Sequence, residues 1–309
     1  MVYLFLAILC SSSIALIFKY SEDAKMNRYV VTSVNYFTAL IISLIMIIIK
    51  PSLNIYAVNF SLGDFIKEIL SILSENSAYF SKDASFIWAV LVGVTGGIFF
   101  FLSLIYYQKS VSENGASLSG TFGKLGILVP MIFSVLLWKE IPKPFQWVGI
   151  FVALFSIIYA NISYDENKNT SISLTLILLF IFGGMAEFQN KLFQKYALIE
   201  YKDVFLFVIF VTAFLLSLYF VIKSKEKVVK RDLFMGFLVG IPNLFSSYFL
   251  IMALNSVATS IAFPVYSAGS IIFISLGEVL LYKEKLCRKN KIAIGLVILS
   301  LILINIGQL

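Results

Sequence analysis

Long apolar runs broken by short polar stretches dominate this chain; they lie at 2-18, 29-49, 86-107, 115-138, 145-161, 172-190, 203-222, 233-254, 259-282 and 291-307. Each is close to the ~20 residues that a helix needs to cross the hydrocarbon core of a bilayer. None alternates with the period of two expected of a barrel strand, so the pattern predicts ten transmembrane helices. The first run has no basic segment before it and no small-x-small cleavage site, and it reads as a span rather than a cleaved signal peptide. In the longest break, 51-84, Leu62, Phe65, Ile66, Ile69, Leu70 and Leu73 fall at helical spacing, and Ser61 and Asp64 resemble a capping pair. This predicts an amphipathic helix in the headgroup plane, with a lid over one mouth as the sharper alternative.

Composition agrees with the pattern. Of 309 residues, 60% are hydrophobic and 13% charged, and the mean hydropathy is +0.94; a soluble domain carries about 25% charged residues. The class is therefore all-α and integral to the membrane, a multi-pass protein of the cell membrane, and the ten spans leave no room for a separate soluble domain. The net charge of +7 places cations beside the anionic headgroups of membrane lipids, and no basic run interleaved with aromatics points to nucleic acid. Histidine is absent, which removes histidine-based triads, metal sites and proton relays together. Cys10 and Cys287 stand at opposite ends of the chain, so neither a disulfide framework nor a metal cluster is read. No cofactor is expected, and the lack of a GxxxxGK[ST] loop means that the chain does not itself spend ATP.

Self-similarity divides the chain in two. LLWKE at 136-140 closes the fourth span and LLYKE at 280-284 closes the ninth, an offset of 144, and a basic loop leads from each to a glycine, Gly149 or Gly295. GVTGGIFFFLSL from Gly93 matches GIPNLFSSYFLI from Gly240, and Lys19 and Tyr29 match Lys191 and Tyr201 at an offset of 172. Two halves follow: residues 1-161, containing the insertion 51-84, and residues 172-309. Because each half has an odd number of spans, the second must be inverted relative to the first.

These features, with Pro130 inside the fourth span, resemble the drug/metabolite transporter superfamily, EamA type, over nearly the whole chain. The resemblance implies ten helices, as two inverted five-helix repeats around a central cavity, working by alternating access on small metabolites such as amino acids. The chain departs from the family pattern in its long insertion and in Lys124. The resemblance also implies that both termini are inside. The Lys and Arg residues of the loops, concentrated in KSKEKVVKR and KEKLCRKNK, would instead put both outside.

An ionised side chain at mid-span costs about 2.5 to 3.5 kcal/mol and normally faces protein or water. Lys124 lies within the fourth span on a face with Ser117, Gly120 and Thr121, and Glu187 lies deep in the sixth with Gly183 and Asn190 on its face. Glu278 is close enough to the end of the ninth span to snorkel. Lys124 and Glu187 read either as a structural ion pair or as partners of a substrate: Lys124 for a carboxylate or phosphate, Glu187 for an amine or a coupling proton. Asn243 with Ser246 and Ser247, Tyr266 with Ser267 and Ser270, and Asn35 with Tyr36 are further groups for the same cavity, or interhelical hydrogen bonds. Gly93 and Gly97, like Gly236 and Gly240, form GxxxG pairs that permit close helix approach. Pro130, Pro242 and Pro264 each leave a carbonyl without its helical donor, a hinge or a static kink.

The expected function is secondary transport of a small polar metabolite, an amino acid or related zwitterion. Its expected binding set is Lys124, Thr121, Glu187, Asn190, Asn243, Tyr266, Ser270 and Asn35. A flippase for lipid or lipid-linked sugar, with 62-73 as entry platform, is the alternative within transport. A membrane-embedded enzyme lacks the base and paired carboxylates it would need, so no enzymatic activity is expected.

Overall fold

The computed structural model describes residues 1–49, 62–75, 79–114, 116–161, 173–224, 228–283 and 288–306. Among them the chain forms only helices: α1 (Val2–Asp23), α2 (Arg28–Ile49), α3 (Leu62–Glu75), α4 (Lys82–Asn114), α5 (Ala116–Leu125), α6 (Leu128–Trp138), α7 (Pro144–Asn161), α8 (Leu174–Tyr196), α9 (Lys202–Ser224), α10 (Lys230–Leu254), α11 (Thr259–Tyr282) and α12 (Arg288–Ile306), with one 3-10 turn at Ile199–Tyr201. In hydrocarbon a helix satisfies every backbone group from within its own segment, which is why apolar runs of this length settle as helices. Seven are long and apolar enough to cross a membrane, and the three remaining expected spans are shorter apolar helices at Phe122–Trp138, Pro144–Tyr159 and Lys291–Ile304.

Two expectations need correction. The run 115-138 is not one helix but two, α5 and α6, parted at Gly126 and Ile127. The sixth span does not end at 190: α8 continues through Lys191 and Lys195 to Tyr196, and two lysines expected in a loop are instead buried, with exposures of 3% for Lys191 and 6% for Lys202, as is Asp203 at the start of the seventh span. The amphipathic segment is helical, as α3: its Phe65 and Ile72 pack on Phe80, Ala84, Trp88 and Tyr196, while Ile66 and Leu70 stay exposed. The Phe80 ring lies tilted at 5.8 Å from Phe65 and 5.1 Å from Trp88. Ser61 and the segment 51–61 lie outside the described residues, as do Glu284 and Cys287 in the loop after α11.

The chain forms two compact units. One comprises Met1–Leu16, Leu102–Phe188 and Met252–Leu309. Here α7 packs on α12 and α11 on both. A Cβ placed on Gly149 would lie 2.7 Å from the Ile304 side chain, a spacing only glycine permits. Helices α6 and α11 both end in left-handed lysines, Lys139 (φ 54°) and Lys283 (φ 56°), whose N–H groups return to Ser134 O and Glu278 O. These closures satisfy carbonyls that the last helical turn leaves bare. After the first of them, the Glu140 carboxylate accepts the Thr259 N–H at 2.9 Å. It caps α11, whose own N-cap residue, Ala258, has no side chain for that work.

The other unit comprises Ile17–Phe101 and Gln189–Ile251. Its centre is α2 against α9. Helix α4 approaches α9 through Gly93 and Gly97, where an added Cβ would meet Val208 at 2.8 Å and Thr212 at 2.5 Å; α10 approaches α2 through Gly236 and Gly240, where it would meet Val34 at 2.6 Å and Thr38 at 2.5 Å. At both GxxxG pairs the helices approach too closely for a β-carbon, and the lost side chains are replaced by dispersion contacts along the groove. Phe193 and Phe205 stack at 4.5 Å, joining α8 to α9.

Gly97→Ala is expected to destabilise the protein by about 1 to 3 kcal/mol, because the new methyl collides with backbone and side chain of α9. Gly295→Ala, where nothing lies within 4 Å, is expected to change stability by no more than about 0.5 kcal/mol. Unfolding of the two purified variants in detergent measures the difference.

Candidate functional site

The break between α5 and α6 has a specific cause. Pro130 has no N–H, so Gly126 O loses the donor that a continuous helix would supply four residues on. Val129 turns its N–H to Gly126 O at 3.0 Å instead of to Leu125 O, and Met131 donates to Ile127 O at 3.3 Å. Lys124, in the last turn of α5, keeps for its carbonyl the Ser267 hydroxyl of α11 at 3.5 Å. Helix α8 closes over the gap with glycine: a Cβ on Gly126 would stand 3.0 Å from Gly184 N, and one on Gly184 would stand 2.5 Å from Val129. Backbone therefore rests on backbone at the point where the broken helix most needs cover.

That contact sets the positions of the two charges. Glu187 lies one turn beyond Gly184 on α8, and Lys124 two residues before Gly126, within the same compact unit. The negative charge of Glu187 acts on the Lys124 ammonium, which sits deep among protein atoms. Both residues nonetheless keep intermediate solvent-accessible surface. Among the described residues no hydrogen bond or contact ion pair holds the Lys124 ammonium. The α5 C-terminus, with its partial negative charge, adds to the attraction of Glu187 for a cation here.

Of the remaining expected residues in this unit, Tyr266 and Ser270 are buried on α11. The Ser270 hydroxyl donates to Tyr266 O at 2.7 Å, and Ser12 of α1 donates to Ser270 O at 3.4 Å. Ser270 thus bonds back to its own helix. Thr121 lies on α5, and its side chain is outside the described residues.

The second unit holds the other expected residues and a set that the sequence reading missed. Asn243 Nδ2 donates to Asn35 Oδ1 at 3.0 Å, joining α10 to α2. Asn190 is fully buried on α8. Nearby on the same helix, Lys191 Nζ donates to Gln194 Oε1 at 3.1 Å, and Thr95 of α4 donates to Gln189 Oε1 at 3.1 Å. Lys202 Nζ lies 3.7 Å from Asp203 Oδ1 and 4.6 Å from the centre of the Tyr248 ring, so both its carboxylate and its aromatic neighbour are inside protein. The signal available in the sequence was the length of the polar break: only the 12 residues 191–202 separate two spans, too few to carry three lysines clear of the bundle. Among the described residues no three Asp, Glu or Cys side chains are grouped to hold a metal ion.

Comparison with known proteins bears on the whole chain. The model of the EamA-like transporter family matches residues 1–162, and that of the Small Multidrug Resistance protein matches residues 205–297. No curated protein matches. A solved structure titled only as the crystal structure of a protein shares the fold, with a TM-score of 0.70 at 14% identity over 99% of this chain and 96% of its own. With more than half its length matched by the first of these models, the chain belongs to the EamA-like transporter family, and it is a multi-pass membrane transporter of the drug/metabolite type.

Proposed function

We propose that the protein is a secondary transporter of a small polar metabolite, an amino acid or related zwitterion, built as two inverted five-helix repeats, residues 1-161 and 172-309. The observation that carries the substrate class is the Lys124–Glu187 arrangement: opposite charges in one compact unit that act on each other beside a broken helix. Ionisable groups inside a span are functional by default, and a ligand carrying a carboxylate for Lys124 and an ammonium for Glu187 matches both charges. Broken helices are where transporters hold substrate.

Support for the repeat comes from within each unit. The chain passes from the first unit to the second after Leu16 and after Phe188, 172 residues apart, the same offset that relates Lys19 to Lys191, and returns after Phe101 and after Ile251, 150 residues apart. Helices that the repeat makes equivalent pair with each other, α2 with α9 and α7 with α12. The two GxxxG contacts, α4 on α9 and α10 on α2, are exchanged in the same sense. That is the pattern expected of a pseudo-two-fold axis.

Lys124→Ala is expected to weaken amino-acid binding about 30-fold or more. A thermal-shift screen of soluble amino acids on the detergent-purified protein, repeated on the variant, measures this; a ligand whose midpoint shift is the same in both would contradict the assignment. Glu187 is also the candidate carrier of a coupling proton. Glu187→Gln is expected to abolish the pH dependence of uptake into proteoliposomes, and a variant that kept that dependence in full would remove Glu187 from the coupling step.

A further inference from the structure

One end of the second unit carries charge that the transport site does not use. Glycine contacts fix which helix ends meet there: Gly236 of α10 faces Val34 of α2 and Gly240 faces Thr38, so these helices run parallel and begin at the same end. Lys202 at the start of α9 sits against Tyr248 near the close of α10, so α9 runs the other way and finishes where α10 begins. The close of α1 joins them, since Ile17, Phe18 and Ala24 pack with Met26, Val31 and Met235. Helices α9 and α10 are both long and apolar enough to span a bilayer, which sets this end at the level of the headgroups.

Charge is unequal between the two ends of the unit. Among the described residues this end holds Lys19, Lys25, Arg28, Lys223, Lys230 and Arg231 against Glu22, Asp23 and Asp232. The opposite end balances five lysines with six carboxylates over 62–83 and 191–203. Arg231 is held in place: its Nη2 donates to the Tyr20 hydroxyl at 3.0 Å, and the guanidinium lies 5.6 Å from the centre of that ring. A guanidinium has five N–H donors, and spending one on Tyr20 leaves donors for two oxygens of one phosphate. Arg231 and its neighbour Lys230 are both exposed. After Lys230, Leu233, Phe234 and Phe237 follow at i+3, i+4 and i+7 and are exposed as well. One stripe of α10 thus passes from cation to apolar side chains in the direction in which a phospholipid passes from phosphate to acyl chain.

We propose that this end of the second unit is a binding site for an anionic phospholipid. The phosphodiester is held by Arg231 and Lys230 in the first turn of α10, where the helix dipole adds partial positive charge, and an acyl chain lies along Leu233, Phe234 and Phe237. Tyr20 is the positioning residue for Arg231. The excess of cations selects a headgroup that brings no ammonium of its own.

The test uses the full-length protein purified in detergent. Its thermal midpoint is titrated with phosphatidylglycerol, with phosphatidylcholine and with glycerophosphoglycerol, the anionic headgroup without acyl chains. The expected result is a saturable rise of about 3 °C or more with phosphatidylglycerol and less than about a third of that with either of the others. Arg231→Gln combined with Lys230→Gln is expected to remove most of the rise, whereas Lys67→Gln combined with Lys82→Gln, at the balanced end, keeps it. Tyr20→Phe removes only the hydroxyl that orients Arg231; it is expected to weaken the affinity for phosphatidylglycerol about threefold and gives the reading if the first double variant does not fold. An equal rise with phosphatidylcholine or with the chain-free headgroup overturns the proposal. So does a rise that survives the loss of both Arg231 and Lys230, an equal loss at Lys67 and Lys82, or an unchanged affinity in Tyr20→Phe.

Discussion

A backbone that crosses hydrocarbon has no water to complete its hydrogen bonds, and Pro130 withholds one of them at the centre of a span. The rest of the site follows from how the chain meets that deficit. Val129 and Ser267 answer two of the carbonyls, and glycine at 126 and 184 lets α8 lie directly over the gap. A larger residue at either position would hold α8 away and leave the broken turn open. The same approach brings Glu187 into the electrostatic range of Lys124. Two ionised groups that would each be costly in isolation are therefore placed within reach of one another by a backbone contact.

The sequence made much of the fold legible. Helical spans show because the bilayer imposes a length and an apolar character on every crossing segment, and α11 runs from Thr259 to Tyr282 as expected. Lys124 and Glu187 stood out because a charge within an apolar run needs a reason. The break at Gly126 did not show, since hydropathy averages over it: Leu125, Ile127, Leu128 and Val129 are as apolar as an unbroken helix would require. Pro130 marked a missing donor, but whether a helix bends or parts there depends on what lies across from it. Lys191 and Lys202 were misplaced for the opposite reason. Charges at the end of a span read as loop, and only the packing of α8, α9 and α10 reveals that Gln194, Asp203 and Tyr248 receive them.

Within the second unit, positions one sequence offset apart treat buried polarity differently. At the offset of 172, Lys202 and Asp203 correspond to Val30 and Val31, both buried, and Val31 joins an apolar cluster with Met26 and Met235. A well-packed apolar pair can match a buried ion pair in stability, so both kinds of filling are sustainable in one unit.

The coupling between Lys124 and Glu187 is the central claim, and a double-mutant cycle on unfolding of the purified protein measures it most directly. Lys124→Ala, Glu187→Ala and the double variant are predicted to be non-additive by about 1 kcal/mol or more, the second substitution costing less once the first has removed its counter-charge. Additivity within about 0.5 kcal/mol would mean that the two charges do not sense each other and would contradict the account.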